Sequence, residues 1–145
     1  MSNVSPAGGR IPLVLLLLRL TIALVLGMWA LDKFFKPDHT QQVFAAFYGL
    51  SSLGLPIIYG LGVLQALIIL GFVAGFQKTW TYGAVLAMHG ISTLVSFPRY
   101  LDPFNNLLFF AGWPMLAACF AVFYLRDLDT FWTLDRSHRA TRINT

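Results

Sequence analysis

Residues 11–35, 55–76, 79–97 and 106–125 form four stretches that are each apolar over enough length to cross a bilayer, which takes about 20 residues of helix. Lipid offers backbone N–H and C=O groups no partners, so such stretches must bond internally as helices. The period-two alternation of a membrane barrel is absent. The expectation is an all-α polytopic membrane protein, a four-transmembrane-helix bundle in a single domain. Composition agrees: 57% of residues are hydrophobic and 11% charged, against about 25% charged in a typical soluble domain.

The first stretch is too long for a signal peptide, is interrupted by Arg19, and is followed by no A-x-A pattern. It reads as a retained helix. The links differ. Residues 36–54 form a long outer loop in which 40–48 (TQQVFAAFY) suits a short helix at the headgroup level. Gln77 and Lys78 form a tight hairpin, residues 98–105 a short polar link, and residues 126–145 a mixed-charge tail. Four crossings put both termini on one side, with Arg10, Lys78, Arg126, Arg136, Arg139 and Arg142. Lys33, Lys36 and Arg99 lie on the other, and six basic residues against three favour cytoplasmic termini in a cell inner (plasma) membrane. The net charge of +4 is thus read as orientation and lipid contact rather than nucleic-acid binding.

Polar groups at membrane depth are the informative ones, because they are costly there. Arg19 lies in the first helix, Gln65 near the middle of the second and His89 near the middle of the third. They are the candidate ligand-binding residues of an intramembrane polar pocket. His89, Ser92, Thr93, Ser96 and Arg99 follow steps of three or four and share a face. That stripe leads to an outer polar cluster of Asp32, Lys33, Arg99, Asp102, Asn105 and Asn106. The alternative for each is structural: serine and threonine bond their own helix backbone, and glutamine and histidine tie helices together. Gly71 with Gly75, and Gly83 with Ala87, suit close helix packing inside the bundle, or a seam between copies. Pro114, one turn into the fourth helix, is expected to kink it.

Other chemistry is disfavoured. The lone Cys119 allows no intrachain disulfide or thiolate cluster and reads as a small buried hydrophobe. One deep histidine gives no metal or haem site, so no metal and no intrinsic cofactor is expected. No helix carries a central carboxylate, which lowers the case for a proton-coupled carrier. GxSxG, Walker, HExxH and GxGxxG patterns are absent.

Residues 18–35 (LRLTIALVLGMWALDKFF) resemble the opening of DoxX-like membrane proteins, with Arg19, Gly27 and Lys33 in the matching places. Residues 62–90 (GVLQALIILGFVAGFQKTWTYGAVLAMHG) resemble that family's second and third helices and the basic hairpin between them. The resemblance spans roughly residues 12–125. It implies a four-helix bundle and, for some members, a link to thiosulfate:quinone oxidoreduction or to redox partners. Gln65 stands where many relatives carry glutamate, which puts chemistry needing that carboxylate in doubt.

The first functional expectation is therefore a quinone- or redox-linked membrane subunit. Arg19, Gln65 and His89 would supply hydrogen bonds to a quinone head, Trp29, Phe97 and Trp113 would wall the slot, and a redox protein partner would supply the electron carrier. The alternative is a non-catalytic assembly subunit of a membrane complex, with homo-oligomers included. A small-solute transporter ranks third.

Overall fold

The computed structural model describes residues 9–135 and is all-helical, with no strand among the described residues. Its helices are α1 (Arg10–Phe35), α2 (Pro37–Tyr48), α3 (Leu55–Val73), α4 (Lys78–Val95), α5 (Phe97–Tyr100) and α6 (Gly112–Tyr124). Short 3-10 turns occupy Pro103–Asn105, Leu107–Ala111 and Arg126–Leu128. The arginines at 136, 139 and 142, which entered the charge comparison, and the rest of the tail beyond residue 135 lie outside the described residues.

Three helical stretches are long and apolar enough to cross a membrane: Arg10–Phe35, Leu55–Val73 and Leu107–Tyr124. The expected third span, α4, is not among them. Lys78, Thr79, Thr81, His89, Ser92 and Thr93 hold its hydropathy below theirs. It nevertheless packs between two that are. α1 lies against α3, α3 against α4, α4 against α6, and α6 against α1. The core they enclose includes Leu15, Leu26, Phe72, Val85 and Val122. Cys119 is buried there as well.

Burial is inverted relative to a protein in water. The fully buried side chains include Arg19 and Asp129, whereas Leu24, Leu67, Leu70, Ile91 and Leu94 are exposed. Large exposed apolar surfaces in water drive association; on these helices they run the length of the outer faces.

The glycines define close approaches within the chain. A Cβ on Gly71 would stand 2.8 Å from Thr81 Cγ2, and one on Gly83 would stand 3.3 Å from Phe123. Gly71 and Gly83 thus each meet a neighbour within the chain, whereas Ala87, the other member of the second spacing, is exposed. At Gly62 a Cβ would meet Phe34 at 2.8 Å, which sets the α1–α3 distance at their other end.

Pro114 does not kink an α-helix as expected. The run from Leu107 begins as 3-10 helix and becomes α only at Gly112, so Pro114 sits in the first turn of α6. Residues there have no obligatory intrahelical acceptor for an N–H, and proline is tolerated.

Candidate functional site

The site is built on Arg19, which cannot be left unpaired at membrane depth. The residue is fully buried. Nη1 donates to Asp129 Oδ2 at 2.9 Å and to the Tyr82 hydroxyl at 3.1 Å. Nη2 donates to the carbonyls of Phe131 at 2.7 Å and Trp132 at 3.1 Å. The Tyr82 hydroxyl in turn donates to Asp129 Oδ2 at 2.6 Å. Lys78 Nζ donates to the Asp129 carbonyl at 2.6 Å. Arg19 Nε and Asp129 Oδ1 are buried with no partner among the described residues.

The partners come from three places that the fold brings to one end of the bundle. Tyr82 lies one turn into α4 and Lys78 opens it. Asp129 and the two carbonyls belong to the chain beyond α6, which turns back across the α3–α4 connection. Leu134 N–H donates to the Ala74 carbonyl at 2.8 Å, and Asp135 N–H to that of Gly75 at 3.1 Å. Asp135 Oδ2 accepts from the Lys78 N–H at 3.2 Å. Residues 129–135 are thus a strap stitched over the hairpin, with Arg19 as its rivet.

Gly75 makes the crossing possible. It ends α3 in the left-handed region, at φ 57°. Phe76 N–H returns to the Gly71 carbonyl at 2.9 Å and Gly75 N–H to that of Phe72 at 3.1 Å, the paired bonds of a Schellman cap. A Cβ on Gly75 would stand 2.6 Å from Thr133 Cγ2 and 3.0 Å from Arg19 Nη1.

Gln65 and His89 do not join this site. Gln65 Nε2 donates to the Leu26 carbonyl at 3.1 Å, tying α3 to α1. Leu26 is seven residues beyond Arg19, about 10 Å along the helix. His89 Nε2 donates to the Gly112 carbonyl at 3.0 Å, tying α4 to α6. Its ring lies 6.0 Å from that of Trp29, and its Nδ1 is buried without a partner among the described residues. The single pocket expected from Arg19, Gln65 and His89 is instead three separate sets of hydrogen bonds, because Arg19 is drawn to the carboxylate at its own end. The hydroxyls beside His89 follow the structural alternative: Thr93 donates to the His89 carbonyl at 2.9 Å and Ser96 to that of Ser92 at 2.9 Å.

The outer polar residues also divide. Asp32 Oδ2 pairs with His39 Nδ1 at 2.8 Å and accepts from Thr40 Oγ1 at 3.1 Å, fastening α2 to the end of α1. Lys33 Nζ donates to the Trp29 carbonyl at 3.1 Å. The Arg99 guanidinium lies 5.4 Å from the centre of the Phe47 ring. Asp102 is bonded within its own turn, by Asn105 Nδ2 at 2.9 Å and, through its carbonyl, by Asn106 Nδ2 at 2.9 Å. Of the aromatic residues expected as walls, Phe97 and Trp113 each pack on Tyr100, at 6.5 and 5.4 Å, while Trp29 packs on His89.

Reasoning from sequence missed Tyr82, Asp129 and the structural use of Lys78. A signal for Asp129 was present. The chain has six acidic residues, all aspartates, and 127, 129 and 135 are the ones at the Arg19 end. A buried arginine needs a carboxylate, so the choice was among three. Comparison with protein-family models, with curated proteins and with solved structures gives no match.

Proposed function

We propose that the chain is a four-span inner-membrane protein acting as a non-catalytic interaction subunit that holds residues 129–135 at a fixed place on one membrane face. The fourth span is α4. Its polar residues Lys78, Tyr82, His89 and Thr93 point inward, while Trp80, Ala87, Ile91 and Leu94 are exposed. A helix with its apolar face outward, packed between two membrane-length neighbours, belongs in lipid. Arg10, Lys78 and Arg126 stand at one end, matched by Lys33, Lys36 and Arg99 at the other; the sequence excess of Arg136, Arg139 and Arg142 after Arg126 is what supports placing that end in the cytoplasm. The segments that resemble DoxX-like proteins supply α1 and the α3–α4 hairpin, and membership in that family, with a membrane or redox protein as partner, belongs to the same proposal.

The observation that carries the interaction role is the use of Arg19. The most costly side chain in the membrane region is committed to fastening the chain's own strap, ahead of a tail with arginines at 136, 139 and 142. Affinity purification in mild detergent tests it. A stoichiometric partner is expected to survive His89→Leu and to be lost when residues 136–145 are removed. A partner retained without the tail, or none at all, rejects this role.

His89 favours a second reading, the quinone-linked one. With Nε2–H committed to Gly112, a neutral ring leaves Nδ1 as a buried acceptor beside Trp29, able to take a hydrogen bond from a quinol hydroxyl. Arg19 has no part in it. Quinol binding by the purified protein, abolished by His89→Phe, is the expected result; no binding, or binding indifferent to His89, ends it.

A further inference from the structure

The strap leaves an apolar surface that the Arg19 site does not use. Residues 130–134 read TFWTL, without a charge. Thr133 turns inward onto Gly75, whereas Phe131, Trp132 and Leu134 are exposed, Trp132 by 79%. Trp132 holds φ at 50°, a left-handed conformation that is strained for a non-glycine residue. The two carbonyls flanking its Cα and ending its own residue are those gripped by Arg19 Nη2. The arginine therefore holds a backbone turn that carries an indole outward.

The level of that indole is set by its neighbours. Leu134 is bonded to Ala74, at the end of α3. Phe76 follows that end, Trp80 lies in the first turn of α4, and Tyr124 closes α6; all three are exposed. Aromatic side chains collected where apolar helices end are characteristic of the boundary between headgroups and acyl chains. The bonds of Leu134 to Ala74 and of Asp135 to Gly75 put the strap at the same end of the bundle as these aromatic residues.

Resting on the membrane reading above, we infer that the strap is an interfacial anchor: Phe131, Trp132 and Leu134 insert among the lipids at the headgroup–acyl boundary of the leaflet that holds the Arg19 end. The occupant of this surface is phospholipid. The buried Arg19–Asp129 pair then links an internal contact of the bundle to its seating depth, because the pair fixes the turn that presents Trp132.

The chain has four tryptophans, at 29, 80, 113 and 132, so variants keeping a single one, with phenylalanine at the others, isolate each. They are reconstituted in phosphatidylcholine–phosphatidylglycerol vesicles bearing a nitroxide near the headgroup or near the chain terminus. The Trp132-only protein is expected to be quenched roughly twofold more by the shallow nitroxide than by the deep one, and to resist aqueous iodide. Adding Asp129→Asn is expected to shift Trp132 toward iodide. Ready iodide quenching of Trp132 with the Arg19–Asp129 pair intact overturns the inference, and so does protection from both lipid nitroxide and iodide, which would mean a protein covers the surface. The Trp29-only protein separates this from the reading beneath it: if Trp29 too escapes lipid quenching, the membrane placement itself fails.

Discussion

Arg19 and Asp129 are 110 positions apart in the chain and 2.9 Å apart in the fold, with their side chains 1% and 0% exposed. Such a pair is expensive to desolvate, and replacing both members by apolar residues is often harmless; removing one strands the other at a cost of about 3–5 kcal/mol. Asp129→Ala is therefore expected to destabilise the protein by that order, and Arg19→Met with Asp129→Leu to recover part of it but not all, because Arg19 Nη2 also holds the carbonyls of Phe131 and Trp132. Unfolding midpoints in detergent micelles decide this. A double variant as damaged as the single one would show that the pair does more than neutralise itself.

Tyr82 shares the same oxygen. Its hydroxyl donates to Asp129 Oδ2 and accepts from Arg19, while its ring packs edge-on against Phe72 with centroids 4.8 Å apart. Tyr82→Phe keeps the ring contact and removes the hydroxyl, with an expected loss of about 1–3 kcal/mol. Because the three groups act as one network, Tyr82→Phe is expected to cost much less in the Asp129→Ala background. A double-mutant cycle with coupling near zero would contradict the shared geometry.

The helices were legible because lipid-length apolar runs leave few alternatives; α1, α3 and α4 begin and end within a few residues of their expected bounds. The cost of Arg19 was legible too. Its direction was not, because a helical position defines a face but not which chain end will fold back to meet it. Asp129 follows the last apolar run and reads like any solvated tail residue until the strap crosses Gly75. The same limit explains Asp32. It reads as part of an outer cluster with Arg99 and Asp102, yet it fastens His39 and Thr40 of α2 because those lie only seven and eight positions ahead on a returning chain.

Gly75 gives a local test of the strap crossing. Gly75→Ala would place a methyl 2.6 Å from Thr133 Cγ2 in a backbone conformation with φ at 57°. The left-handed conformation alone costs about 1 kcal/mol or more, and the clash adds to it. Thr133→Gly in the same protein removes the clash and is expected to recover part of the loss, never all. Amide exchange at Leu134 and Asp135, whose N–H groups bond Ala74 and Gly75, is expected to accelerate in Gly75→Ala. Unchanged exchange there would mean the strap does not depend on that crossing.

Gly71 and Gly27 lie on membrane helices but face different surroundings. A Cβ on Gly71 would meet Thr81 at 2.8 Å, whereas one on Gly27 would meet nothing within 4 Å. Overpacking a close helix contact costs about 1–3 kcal/mol, so Gly71→Leu is expected to lower the unfolding midpoint and Gly27→Leu to leave it in place. Measuring oligomeric state alongside stability separates packing within the chain from packing between copies. If Gly71→Leu left the midpoint unchanged but converted a dimer to monomers, Gly71 would belong to a seam between copies. If Gly27→Leu did so, the seam would lie on the open face of α1, which the packing of a single chain leaves free.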